Sequence, residues 1–299
     1  MGVYLSTPNT AKKSSDGENS RIEFGTSAMQ GWRSNMEDAH LAEMHLDNRH
    51  SLFGVFDGHG GVEVAKYCSI YLPNILANNQ NYKNGNYEQA LKESFIELDD
   101  VLLKDETGSI LKEYKVSNEG MESYAGATAN VVLVTETDIY VANTGDSRCY
   151  LYTKDKKLEM LSFDHKPDND IEYKRIIEAG GTVSEGRVNE NLNLSRAIGD
   201  LEYKRNANLK PEQQIISAMP DIVTRKITDD IGFLLMGCDG VWETLTVEEI
   251  CEGIQQRLSQ NPKVQLSVIV EELLDKLLAP DTVAGTGCDN MSAILFRFK

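Results

Sequence analysis

Beyond a polar start, apolar positions fall into short runs separated by turns rich in glycine, asparagine and aspartate. Ile22-Glu23-Phe24 and Leu52-Phe53-Gly54-Val55-Phe56 have the density of apolar and aromatic side chains expected of strands. The spacing then changes to threes and fours. Val64, Ala65, Cys68, Tyr71 and Leu72 predict a helix over about 62–78, and Ala90, Leu91, Phe95, Leu98 and Leu102 a second over about 87–104. Strands return at 129–135, 138–143 and 148–152, with connections short enough to favour antiparallel pairing. A short helix over 168–179 is stopped by Gly180-Gly181. Residues 183–220 are polar and irregular, long enough for a functional loop. Strands follow at 222–227 and 233–238. Thr246-Val247-Glu248-Glu249 is a capping box opening a helix that carries Ile250, Cys251, Ile254 and Leu258. A last helix with Val270, Leu273, Leu274 and Leu277 stops at Pro280, before a final strand over 291–298. This order is an α+β pattern, with helices segregated onto the faces of antiparallel sheets.

Composition narrows the function. The 299 residues are 40% hydrophobic and 26% charged, the balance of a globular protein rather than a disordered or fibrous one. The net charge of −17 argues against nucleic acid as a ligand, because that binding runs on clustered Lys and Arg. No apolar run approaches the ~18 residues of a membrane span, and the first 30 residues lack the apolar core of a secretory signal. Five cysteines without a Cys-x-x-Cys read as free, buried thiols in a reducing, cytoplasmic setting. Residues 1–20 read as a flexible tail. Its start, Met1-Gly2-Val3-Tyr4-Leu5-Ser6, fits the pattern for myristoylation of Gly2. One such chain gives only weak, reversible membrane contact. Length alone suggests about two domains.

The chemistry is concentrated in acidic turns. Asp57-Gly58, Asp239-Gly240, Gly145-Asp146 and Cys288-Asp289-Asn290 place an aspartate beside or close to glycine at the edge of an apolar run, and Glu37-Asp38 follows Arg33. One Asp-Gly pair is an ordinary turn former. Several that converge would raise one another's pKa unless a cation neutralised them. Oxygen ligands suit Mg²⁺, Mn²⁺ or Ca²⁺, whereas zinc spacings and the EF-hand loop are absent. A pair of Mg²⁺ or Mn²⁺ ions would point to phosphoryl chemistry. Walker and kinase motifs are also absent.

With those residues in hand, residues 21–299 resemble the metal-dependent protein serine/threonine phosphatases of the protein phosphatase 2C family. Eight motifs occur in the family's order: Arg33-Ser34-Asn35-Met36-Glu37-Asp38, Phe53 to Gly61, Ala125 to Ala129, Ala142 to Arg148, Asp164-His165-Lys166-Pro167, Leu194 to Asp200, Cys238-Asp239-Gly240-Val241-Trp242 and Asp289-Asn290-Met291. The resemblance implies an αββα sandwich, two antiparallel sheets flanked by helices, forming one catalytic domain rather than two. It implies hydrolysis of phosphoserine and phosphothreonine in phosphoprotein substrates by a water bridging two Mg²⁺ or Mn²⁺ ions. Asp57 would bridge the ions. Asp239 and Asp289 would complete the first site, and Glu37 with the carbonyl of Gly58 the second. Asp38 would position a metal-bound water, Arg33 would bind phosphate oxygens, and His59 would protonate the leaving alkoxide.

One departure bears on the ligands. The family often has Asp after the Trp of its Cys-Asp-Gly-x-Trp motif, where this chain has Glu243. With Asp146, that carboxylate would serve a third, weaker metal, which the longer Glu243 puts in doubt. The variable flap of the family corresponds to 183–220. A catalytically inactive binding module of the same fold is the alternative. It is disfavoured because Arg33, Glu37, Asp57, Asp239 and Asp289 are all present. The expected state is a monomer.

Overall fold

A computed structural model describes residues 4–47, 49–105, 108–115 and 125–299. The first third of the chain holds β1 (Tyr4–Glu18), β2 (Ile22–Arg33), β3 (Ala39–Glu43), β4 (Ser51–Phe56), β5 (Gly58–His59), α1 (Glu63–Asn78), α2 (Gln80–Lys83), α3 (Tyr87–Lys104) and α4 (Ser109–Lys112). The middle holds β6 (Gly126–Ala127), β7 (Ala129–Val134), β8 (Asp138–Thr144), β9 (Arg148–Thr153), β10 (Leu158–Met160), α5 (Asp170–Glu178), β11 (Val183–Ser184), β12 (Arg187–Val188) and β13 (Ile198–Gly199). The chain ends with β14 (Asp221–Lys226), β15 (Ile231–Gly237), α6 (Val247–Gln260), α7 (Leu266–Leu277) and β16 (Met291–Phe298).

Two antiparallel sheets dominate. The first runs β1-β2-β16-β15-β9-β10 and the second β14-β8-β7-β4-β3. Both faces of the second sheet are covered, which explains its continuous apolar runs. Along β4, Phe53 and Val55 enter the core between the sheets, while Leu52 and Phe56 face α1 and α3. Phe53 stacks on Phe296 of the opposite sheet at 4.5 Å between ring centroids. Helices α6 and α7 cover the outer face of the first sheet with Ile250, Ile254, Val270 and Leu274. The layers are therefore α–β–β–α. The capping box forms as expected: the Glu249 backbone N–H donates to Thr246 Oγ1 at 3.2 Å and the Thr246 backbone N–H to Glu249 Oε2 at 2.9 Å.

Two expectations are corrected. Residues 4–18, expected as a flexible tail, form the edge strand β1, in antiparallel register with β2. An edge strand needs only backbone hydrogen bonds, so hydropathy does not reveal it. Side chains reinforce it: Lys12 Nζ meets Asp275 Oδ1 at 2.6 Å, and Asp16 Oδ1 accepts from the backbone N–H of Ser267 in the first turn of α7 at 2.9 Å. Gly2 lies outside the described residues. The second correction concerns 138–143 and 148–152, whose short connection favoured antiparallel pairing with one another. Strand β8 pairs with β7 and β14, while β9 pairs with β15 and β10. Residues 145–147 thus carry the chain from one sheet to the other. Among the described residues, no helix is long and apolar enough to cross a membrane.

The segment 183–220 is irregular but tethered. Glu172 is buried and accepts from Arg196 Nε at 3.0 Å, Arg175 Nη1 at 2.5 Å and Ser195 Oγ at 2.8 Å. Arg196 Nη1 also reaches Asp221 Oδ1 at 2.8 Å, and His165 Nε2 lies 3.1 Å from Asp221 Oδ2. His165 Nδ1 accepts from the backbone N–H of Gly145 at 3.1 Å. A charged chain therefore links the flap to the sheet crossover beside Asp146.

Burial alone would raise the Glu172 pKa, but the hydrogen bond from Arg196 and the charges of Arg175 and Arg196 bring it down to about 2. A depressed carboxylate stabilises the fold above its ordinary value of 4.5, and that contribution is lost as pH falls towards about 2. Glu172→Gln should therefore cost about 3–5 kcal/mol at neutral pH, because it takes the paired anion from buried Arg175 and leaves Arg196 with Asp221 alone. In urea titrations, the gap between Glu172→Gln and the native protein should narrow as pH falls from about 5 to about 2. A gap independent of pH would show that the carboxylate charge contributes nothing.

Candidate active site

The acidic turns lie where strands end or change sheet. Glu37 and Asp38 sit on the crossover from β2 to β3, Asp57 follows β4, Asp146 lies between β8 and β9, Asp239 follows β15 and Asp289 precedes β16. Both sheets thus deliver carboxylates to one place. Thr128 helps to join them. Its backbone N–H donates to the Asp57 carbonyl at 2.9 Å, its Oγ1 accepts from the Asp57 N–H at 3.2 Å, and it lies 2.7 Å from Ser147 Oγ. Asn290 closes the other side. Its Oδ1 accepts from the Glu37 N–H at 2.9 Å, while its Nδ2 donates to the carbonyls of Gln30 and Asn35 at 2.8 and 2.9 Å. At Gly58 a Cβ would collide with the Glu37 carbonyl, so only glycine lets these two backbones approach so closely.

Carboxylate oxygens of Asp57, Asp146 and Asp239 lie within 4.8 Å of one another. Asp57 also belongs to a second group of the same span with Asp38 and Cys238 Sγ. The shared member is the residue expected to bridge two ions. The Cys238 thiol is already committed: it donates to the Asn290 carbonyl at 3.4 Å and accepts from the Ser292 N–H at 3.2 Å. Burial raises its pKa far above the ordinary range, so it stays a thiol and oxygen donors remain.

The electrostatics show what such a cluster costs without a cation. Burial, then the charges of Asp239, Asp38, Asp146 and Asp289, hold the Asp57 pKa well above its ordinary value. Burial together with neighbouring carboxylates raises Asp38 and Asp239 to about 7. Burial also raises Glu37. Asp38 Oδ2 is buried with no hydrogen-bond partner. A buried acceptor with no donor, among carboxylates that resist ionisation together, fits a hard divalent cation.

Arg33 projects from the end of β2 and forms an ion pair through Nη2 with Asp289 Oδ2, its guanidinium half-exposed. Asp146 is ion-paired with Lys166. Glu243 accepts from the Gly287 N–H at 2.8 Å. His59 Nε2 lies 2.8 Å from Asp200 Oδ2. Burial works against a charged His59 ring, but Asp200, by charge and hydrogen bond, raises its pKa overall. Reading the sequence left Thr128, Lys166, Asn290 and Asp200 without roles, although each lies inside a motif quoted for the resemblance.

The family model described as protein phosphatase 2C matches residues 22–285. The chain is 48% identical to "Probable protein phosphatase 2C 3" of Paramecium tetraurelia over 301 residues, covering all of both chains. It is 41% identical to "Probable protein phosphatase 2C 21" of Arabidopsis thaliana over 333 residues, covering all of this chain and 93% of that one. Its fold is similar to the crystal structure of a serine-threonine phosphatase 2C from Toxoplasma gondii, with a TM-score of 0.77 at 19% identity over 99% of each chain. Joined to a carboxylate cluster that fits hard cations, these similarities place the chain in the protein phosphatase 2C family, the metal-dependent protein serine/threonine phosphatases.

Proposed function

We propose that this chain hydrolyses phosphoserine and phosphothreonine in protein substrates with two Mg²⁺ or Mn²⁺ ions held around Asp57. The observation that supports this reading most is the convergence of Asp57, Asp146 and Asp239 from two different sheets. When bound, the ions supply a water-derived nucleophile at neutral pH and neutralise charge on the phosphoryl group. Asp57 would serve both ions, with Asp239 and Asp289 as further ligands of one and Glu37 and the Gly58 carbonyl as ligands of the other. Asp146 is left for a third, weaker ion, and the engagement of Glu243 with Gly287 counts against that ion. Asp38, through its unpartnered Oδ2, orients the attacking water. Arg33 binds the phosphate oxygens, and its pairing with Asp289 ties phosphate binding to the ligand set. His59 donates the proton that the leaving alkoxide needs. Five buried free thiols suit a reducing compartment, and the −17 charge suits a protein that does not bind nucleic acid. The reading is of an intracellular monomer.

Phosphothreonine peptide hydrolysis should vanish in EDTA and return with Mn²⁺ or Mg²⁺, and Asp57→Ala should lower it by at least about 10³-fold. Near-native turnover by Asp57→Ala would remove Asp57 from the centre of the mechanism.

Stability should follow the same cluster. Groups with raised pKa stabilise the metal-free fold at low pH, and that contribution is lost as pH rises from about 4 through about 7. At pH 8, Mn²⁺ at about 100 times its Kd should add about 2.7 kcal/mol, raising Tm by about 5 °C. Asp239→Asn should raise the Tm of the metal-free protein and shrink the response to metal. A Tm unmoved by metal in the native protein would contradict this.

A further inference from the structure

We infer that Asp200 is the positioning residue for His59, holding the ring so that Nδ1, not Nε2, faces the leaving group. The inference rests on the role proposed for His59. Its geometry comes from a small sheet of three two-residue strands, β13-β6-β5. In that ribbon His59 pairs with Gly126, and Gly126 pairs on its other side with Gly199. His59 and Asp200 thus lie across the central strand from one another, and their side chains meet over Gly126 at 2.8 Å. A Cβ on Gly126 would strike both Asp200 Oδ2 and His59 Nε2. The glycine leaves the space that the contact occupies.

Asp200 is held firmly for this task. Its side chain is only 4% exposed. Its backbone is left-handed, with φ 49° and ψ 41°, a conformation that needs surrounding structure to maintain it. That structure is present. The Asp200 N–H donates to the Ala125 carbonyl at 3.0 Å, and the Gly199 N–H to Asp99 Oδ1 at 2.8 Å. Asp99 is ion-paired with the buried Lys204, whose Nζ also donates to the Ala197 carbonyl at 2.6 Å. A carboxylate only accepts, so His59 Nε2 carries the hydrogen in this contact. The other ring nitrogen, Nδ1, is left for the substrate. In the reaction, the oxygen of the attacking water bonds to phosphorus and its proton passes to solvent, the bond between phosphorus and the threonine oxygen breaks with its electron pair on that oxygen, and the proton from Nδ1 joins it. Solvent returns a proton to the ring before the next turnover.

The test compares two substrates in the presence of Mn²⁺. A phosphothreonine peptide leaves as an alkoxide that needs a proton, whereas p-nitrophenyl phosphate leaves as a phenolate that does not. Asparagine tolerates the left-handed backbone, so Asp200→Asn should fold with an unchanged Tm. It should lower kcat on the peptide by about 10²-fold and kcat on the aryl ester by less than about threefold. Gly126→Ala, whose backbone is not left-handed and whose new methyl group would push Asp200 Oδ2 and His59 Nε2 apart, should show the same selective loss and carries the test if Asp200→Asn fails to fold. Equal losses on both substrates, or none on either, would overturn the inference. A native protein inactive on both substrates with every metal would instead defeat the phosphatase reading, and this inference with it.

Discussion

Mutual repulsion among closely packed, partly or fully buried carboxylates is the constraint on which the structure turns. Asp38, Asp57, Asp146 and Asp239 are brought together by strands that have other reasons to be where they are, namely the apolar core between two sheets. The core stabilises the cluster against its own charge. A divalent cation would convert this electrostatic cost into affinity, because each raised pKa is free energy that a cation would recover. Oxygen donors and a committed Cys238 thiol select hard ions over soft ones.

Rigidity follows from where those residues are mounted. The carboxylates sit at strand ends and sheet crossovers rather than on the long flap, so their separation is set by sheet packing. The flap is connected to the same place by charge. Glu172, Arg196, Asp221 and His165 lead from its base to Gly145, one residue before Asp146. The segment 183–220 can thus vary in sequence while the centre keeps its geometry, a common division between scaffold and loop.

Much of this was legible in the sequence for identifiable reasons. Helices α1, α3, α6 and α7 show apolar positions at spacings of three and four, and Thr246 with Glu249 marks a start without ambiguity. The carboxylates announced themselves because aspartate beside glycine at several strand ends is more than turns require. Three kinds of feature were hidden. Strand β1 is polar and exposed, and it pairs through its backbone. The passage from β8 to β9 has the length of a hairpin, and only the pairing of β9 with β15 shows that it changes sheet. The two-residue strands of the ribbon carry no periodicity. Consequently the contact of Asp200 with His59, made across 141 residues of sequence, has no local signature.

The most direct test of the carboxylate cluster as a cation site is anomalous diffraction from crystals soaked in Mn²⁺. Two peaks flanking Asp57, within coordination distance of Asp239 on one side and Glu37 on the other, are the expected result. An empty cluster at saturating Mn²⁺, or manganese bound only at residues away from Asp57, would contradict it.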